Sequence, residues 1–265
     1  REAEKNIKII DALIYVLDAR APLACVNNHF LKKMSGKPVL FALNKADLAD
    51  AEATKKWIEY LSGETASAVS VTATKTGGAK AILTELKKLT LPKVQKWAQK
   101  GVKYTPKAMV AGIPNTGKSS IINSLCGAAR AKTGNKPGIT RGRQWVKLDS
   151  VELLDTAGIL APKIDDQVQA RHLAYIGCIK DDILDIVELA RLFLKEMIER
   201  FPQNVIDRYG VVINSADAII DICKNRGYLL KGGEIDLERG AKAVLDDFRS
   251  GKLGNITLES PPLKD

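Results

Sequence analysis

Between Leu86 and Leu148 the sequence has no Asp or Glu at all, against 14 Lys and Arg. Such a stretch cannot neutralise itself, and it is either a solvated basic surface or a contact for a polyanion such as nucleic acid. Cysteine is also sparse: Cys25, Cys126, Cys178 and Cys223 stand singly, without C-x-x-C spacing. This excludes a disulfide framework and a zinc cage, and suits reduced, packed thiols. No apolar run approaches the roughly 18 residues of a membrane span, and the opening "REAEKNIK" has neither an apolar centre nor a cleavage pattern. Residues 1–265 are therefore expected in the cytosol, away from membranes. Internal repeats and low-complexity segments are missing too.

What is present divides unevenly. Residues 1–180 carry 29 basic against 15 acidic residues, and residues 181–265 carry 12 against 16, so the net +10 belongs to the first part. The length accommodates one domain of roughly 150 to 180 residues and a smaller one. "DALIYVLDAR", "KPVLFALNKAD" and "SAVSVTA" are apolar runs ending in polar turns, the pattern of buried parallel strands. The segments between them are helical in pattern: "VNNHFLKKMSG", "AEATKKWIEYLSG", and "GAKAILTELKKL", which Pro92 is expected to close, leaving 90–105 as a basic connector. "QWVKLD" and "SVELLDTAG" read as antiparallel strands. Composition changes after Lys163. Residues 181–201 place apolar side chains at spacings of three and four and stop at Pro202, with two further helices expected, the first capped by Ser215 and the two ended by Gly227 and Gly251. The domains are expected at 1–164 and 165–265.

The chemistry starts at "GIPNTGKSS", residues 112–120, which has the G-x-x-x-x-G-K-S spacing of a phosphate loop between a strand and a helix. Gly112 and Gly117 let the backbone turn its N–H groups toward phosphate, Lys118 reaches the terminal oxygens, and the Ser119 hydroxyl suits Mg²⁺. In "PGIT" Thr140 either caps Mg²⁺ and the γ-phosphate or sits in an ordinary turn. In "DTAG" Asp155 can hold a metal-bound water, and the Gly158 N–H can donate to the γ-phosphate. ATP would be served equally well by these parts. "NKAD" decides for guanine, because the Asp47 carboxylate accepts from N1–H and the 2-amino group while Asn44 braces the strand end and Lys45 covers the ring. "TATKTGG" is either a plain turn or a second base loop in which Thr72 and Ala73 present an N–H to the guanine oxygen. The guanine-nucleotide set is then Asn44, Lys45, Ala46, Asp47, Thr72, Ala73, Asn115, Thr116, Gly117, Lys118, Ser119, Ser120, Thr140 and Gly158, with Lys118, Thr140 and Gly158 carrying the chemistry.

Base reader before phosphate loop is the reverse of the usual order. The chain reads as an α/β Ras-like P-loop GTPase domain that is circularly permuted, its usual ends joined through 90–105 and its new end opened after "DTAG", followed by an all-helical domain. With "DARAP", "NKAD", "GIPNTGKSS", "PGITRGRQW", "LLDTAGIL", "GCIKDDIL" and "RYG", the sequence resembles the bacterial ribosome biogenesis GTPase A family over essentially its whole length. That resemblance implies a cytoplasmic, monomeric GTPase that uses Mg²⁺, binds GTP and GDP, and engages the 50S subunit precursor and its rRNA late in assembly, with hydrolysis promoting release. A GTP-dependent RNA-binding module and a permuted GTPase of small-subunit assembly are the alternatives, and the second lacks its usual cysteine cluster here. Two departures stand out. The family begins with a segment whose His is proposed to assist hydrolysis, a position that His29 and His172 do not match, and Ala157 replaces its usual Pro. Ile159, where Ras-like enzymes carry a water-orienting Gln, has no polar atom for that task, so turnover by the chain alone is expected to be slow. Asn115 either holds a K⁺ ion beside the phosphates or simply supports the loop. Charge reversal at Lys93, Lys96, Lys100 and Lys103 is expected to reduce the salt dependence of RNA binding.

Replacing the carboxylate that reads guanine with an amide changes which base fits. The Asp47→Asn chain is expected to lose GTP affinity and gain affinity for xanthosine triphosphate, which carries a carbonyl in place of the amino group. Calorimetric titration checks this, and retained GTP affinity without a gain for the xanthine nucleotide would place the base pocket elsewhere.

Overall fold

A computed structural model describes residues 7–133, 145–148, 150–155, 164, 166–211 and 217–263, with the backbone alone at 128–133 and 155. It divides into one unit of 1–163 with 257–265 and another of 164–256. Among the described residues of the first unit the strands are β1 (Ala12–Asp18), β2 (Val39–Asn44), β3 (Ala66–Ser70), β4 (Lys107–Ala111), β5 (Trp145–Leu148) and β6 (Val151–Asp155). They lie in the order β3-β2-β1-β4-β6-β5. All neighbours are parallel except β5, which runs antiparallel to β6 at the edge.

β1 explains the layering. Every residue of "ALIYVLD" is buried, which requires cover on both faces of the sheet. Ile14 and Val16 share one core with Leu40, Ala42 and Val110, together with Ile82 and Leu86 of α3 (Lys80–Ala98) and Ile121 and Leu125 of α4 (Lys118–Thr133). Tyr15, on the alternate face, meets Phe30 of α1 (Asn28–Lys33) and Phe41 with ring centroids 6.2 and 6.1 Å apart. α2 (Ala51–Leu61) follows β2 and is capped by the Asp50 carboxylate, which accepts from the Ala53 N–H.

Pro92 does not close its helix. α3 runs through it to Ala98, so much of the expected connector is helical. An interior proline forfeits a backbone hydrogen bond at a cost of about 3 kcal/mol, and tertiary anchors on both sides offset it. Leu86 and Thr90 are buried before the proline, the Thr90 hydroxyl donating to Leu86 O. Beyond it, Lys93 pairs with Asp11 and Trp97 stacks on Tyr104 at 5.5 Å and 10°. Asp11 also accepts from the Tyr104 hydroxyl at 2.8 Å and the Lys107 N–H at 2.7 Å. Lys93 is therefore engaged in the scaffold through Asp11, unlike a lysine that only meets solvent.

The second unit is helical: α5 (Gln167–Tyr175), α6 (Ile186–Arg200), α7 (Pro202–Tyr209), α8 (Ala218–Arg226) and α9 (Leu237–Arg249). Phe193 at its centre touches Tyr175 and Phe248 with centroids 5.0 and 5.1 Å apart. Arg249 binds both carboxylate oxygens of Asp181 and the carbonyls of Ala174 and Tyr175. The long helix expected from 181 starts later, because Asp185 caps it by accepting from the Val187 and Glu188 N–H groups, and Ile183 is exposed. Pro202 opens α7 instead of merely halting its predecessor, as suits a residue whose missing N–H has no partner at a helix start. Ser215 lies outside the described residues. Gly227 ends α8 and Gly251 follows α9, both at positive φ. The expected second domain differs at its end, since 257–265 groups with the first unit. Among the described residues no helix is long and apolar enough to cross a membrane.

Asp11 is the most testable of these anchors. Burial alone would raise its carboxyl, but Lys93, the Lys107 N–H and Tyr104 outweigh that and hold it below its ordinary value of 3.8. Asp11→Ala strands all three donors and is expected to cost roughly 3 kcal/mol in urea unfolding. A depressed carboxyl stabilises above its unfolded pKa and loses that contribution as pH falls through the folded value. The gap between the unaltered chain and Asp11→Asn should accordingly narrow below about pH 4, and a gap independent of pH would show that Asp11 acts uncharged.

Candidate functional site

The carboxyl ends of β1 and β4 flank the point where the strand order reverses, the place at which open α/β sheets bind ligands. After β4 the chain turns through residues 112–117 and enters α4 at Lys118. Gly117, at φ +94°, has no room for a side chain: a Cβ there would lie 2.1 Å from Asn44 Nδ2. The first-turn amides of α4 follow directly and point along a helix N-terminus, a ready site for anionic oxygens. Lys118 Nζ donates to Ile113 O at 2.7 Å, curling its ammonium over the loop. Thr116 is buried, its hydroxyl on Ile113 O at 3.0 Å, so it holds the loop and its side chain does not face solvent. Ser119 and Ser120 are exposed in the first turn.

The base-reading loop is bonded directly to the phosphate loop. Asn44 is buried at the end of β2, donates to Thr116 O at 2.9 Å and accepts from the Ala73 N–H at 3.2 Å. One amide side chain thus joins three loops. Lys45 Nζ donates to Asn115 O at 2.9 Å. Lys45 and Asn115 are also the two described non-glycine residues at positive φ, 58° and 62°. Such backbone strain needs surroundings that enforce it and concentrates at binding sites. Ala46 and Asp47 form a single 3-10 turn with Leu48, partly exposed, and the Ala46 N–H is held by Val71 O at 3.1 Å. Thr72 is half-buried beside it. Because Asn44 engages the Ala73 amide, that N–H braces the loop in this structure.

Sequence reasoning missed the group beneath Lys45. Asp18, fully buried at the end of β1, binds Arg20 through both carboxylate oxygens at 2.9 and 2.8 Å and pairs with Lys45 Nζ at 2.9 Å. Burial would raise its carboxyl, yet Arg20 and Lys45 together hold it below the usual carboxylate range. The signal was an acid and an arginine closing an otherwise apolar run in "DALIYVLDAR". A strap near the end of the chain locks the same loop. Leu258 N–H donates to Arg20 O at 2.7 Å, Glu259 accepts from the Leu23 N–H at 2.6 Å, and the Trp57 indole donates to Glu259 O at 3.0 Å.

Thr140, Ala157, Gly158 and Ile159 lie outside the described residues. Asp155 is described by its backbone, whose register beside Val110 places the end of β6 next to the strand that delivers the phosphate loop. A serine hydroxyl such as that of Ser119, exposed in the first turn, is a hard oxygen donor, the kind Mg²⁺ takes along with phosphates and water. No three His, Cys, Asp or Glu cluster for a metal among the described residues, and an Mg²⁺ ion shared with phosphate does not require such a cage.

A family model described as "50S ribosome-binding GTPase" matches residues 107–217. The chain is 40% identical to Ribosome biogenesis GTPase A of Bacillus cereus, covering 98% of this chain and 90% of that protein. It is 31% identical to the Thermotoga maritima protein of the same name, at 98% and 90% coverage. The GDP-bound structure of YlqF from T. maritima superposes with a TM-score of 0.68 at 27% identity, covering 98% of this chain and 99% of that one.

Joining the loops through Asn44 has a direct consequence for Gly117. Gly117→Ala collides with Asn44 and strains the backbone, so it is expected to lower guanine-nucleotide affinity at least tenfold, about 1.4 kcal/mol, and to lower thermal stability as well. Titration with a fluorescent GDP analogue checks the first, and unchanged affinity would show that Asn44 can swing aside without disturbing the site.

Proposed function

We propose, from the premise that this chain belongs to the ribosome biogenesis GTPase A family, that it acts on the precursor of the large ribosomal subunit. The chain is a GTPase of ribosome biogenesis. Proposed beyond this are the 50S precursor and its rRNA as partners, a cytoplasmic and monomeric state, stimulation of hydrolysis by the particle, and release on hydrolysis. One observation carries the nucleotide reading: Asn44 and Lys45 of the base-reading turn donate to Thr116 O and Asn115 O of the phosphate loop. A guanine reader and a phosphate cradle that share hydrogen bonds are held next to each other, as the two ends of one nucleotide require.

Within it each group has a task. Asp47 accepts from the guanine edge, the Lys45 stem covers the ring, and the loop amides from Asn115 to Ser119 surround the phosphates. Lys118 leaves Ile113 O for the terminal phosphate oxygens, where its charge matters most as negative charge develops. Ser119, Thr140 and, through water, Asp155 would hold Mg²⁺, which screens the phosphate charge when bound. The Gly158 amide donates to the γ-phosphate, and Asn115 is the candidate side chain for K⁺ beside it. Ile159 supplies no group to orient the attacking water, so that group must come from elsewhere than this position.

Phosphate release tests the scheme. Turnover is expected to be slow in Na⁺, faster in K⁺ and faster again with 50S precursors, while Lys118→Ala abolishes it under every condition. Rapid hydrolysis in Na⁺ without particles would contradict the missing water-orienting group, and equal rates with and without particles would remove the particle from the mechanism.

A further inference from the structure

We propose a single-stranded RNA site in the groove between α3 and the segment entering β4, with a base seated in the groove and its neighbouring phosphates on Lys87 and Lys103. The proposal rests on the reading that the chain works on an RNA-containing particle, and it adds where the RNA is held. The groove has a volume of about 450 Å³ and lies at the amino ends of the strands, the opposite edge of the sheet from the nucleotide loops. Its lining is largely apolar and open: Leu91 is 49% exposed, Val102 is 44% exposed, and Val94 lines it too. Residues 87, 91 and 94 follow one another at helical spacing, so one face of α3 forms a wall.

The opposite wall is built in advance. Tyr104 lines the groove with its hydroxyl fixed on Asp11, its ring stacked with Trp97 and the Lys93 ammonium 5.5 Å from its centroid, so this wall is held rigid and little ordering remains to be done when a base enters beside it. The charges around it are sorted. Lys93 is matched by Asp11 and Lys88 by Glu85, whereas Lys87 and Lys103 line the groove, exposed, with no ion pair to any described residue. The chain itself carries no acid from 86 to 148. An apolar slot with an aromatic wall and cations at its rim fits the alternation of flat bases and phosphates in a single strand.

The first measurement is anisotropy of a labelled ten-nucleotide oligouridine with the full chain at several KCl concentrations. The Lys87→Glu/Lys103→Glu chain is expected to bind at least tenfold more weakly and to flatten the log–log salt slope by about 1.4, two single-strand phosphates at about 0.7 each. A matched pair of reversals at Lys224 and Lys231 should change neither, and an equal loss there would reduce the effect to net charge and overturn the site. Unchanged guanine-nucleotide affinity shows that the variant is folded. The second measurement places p-benzoylphenylalanine at Leu91 and irradiates the full chain on 50S precursors. An RNase-sensitive adduct is expected, and an adduct to a ribosomal protein would overturn RNA as the occupant. Undiminished co-sedimentation of the double variant with particles would overturn the groove and leave the particle reading standing. Failure of the unaltered chain to co-sediment would remove both.

Discussion

The nucleotide face depends on one buried carboxylate. Asp18 sits at the end of the central strand β1 with no exposure to solvent, and three groups converge on it: the Arg20 guanidinium, the Arg20 N–H and the Lys45 ammonium. Removing one member of such a cluster leaves a charge unmatched in low dielectric, which costs several kcal/mol, so its members are tightly committed to one geometry. Lys45 then reaches Asn115 O in the phosphate loop. Through that lysine the buried carboxylate at the end of β1 is linked to the phosphate loop, and the two loops so joined are the ones proposed to grip opposite ends of a nucleotide. The 257–259 strap, hydrogen-bonded to Arg20 and Leu23, closes the same loop from outside.

Circular permutation leaves this arrangement intact because the pocket is a property of the sheet, not of chain order. With β1 between β2 and β4, the base-reading turn and phosphate loop emerge from strands on either side of the carboxylate. Asn44 and Gly117 make the proximity compulsory, since the amide occupies the space that any other residue's Cβ would fill. α3 and the stack of Trp97 on Tyr104 carry the chain from β3 back to β4, where an unpermuted domain would have its two free ends.

The site was legible to the degree that its chemistry is local. Phosphate loops and guanine readers are contiguous, and their residue types follow from one ligand. Strand runs were equally readable, because β1, β2 and β4 are buried on nearly all positions. What escaped was non-local. Lys93 looks like any other lysine of a basic stretch until Asp11, 82 positions earlier, is set beside it. Pro92 reads as a helix stop because the anchors that carry α3 past it lie in other elements. Asp18 and Arg20 matter through partners that spacing cannot show, and the strap at 257–259 has no pattern of its own.

The central claim is that Asp18 positions Lys45 and thereby the nucleotide pocket. A double-mutant cycle with Asp18→Asn, Lys45→Ala and the double variant, read as GDP affinity by calorimetry, addresses it directly. Coupling of about 1 kcal/mol or more is expected, because removing either partner already removes the shared contact. Additive losses would mean that the two residues act independently, and that the carboxylate beneath the sheet has no hold on the base reader.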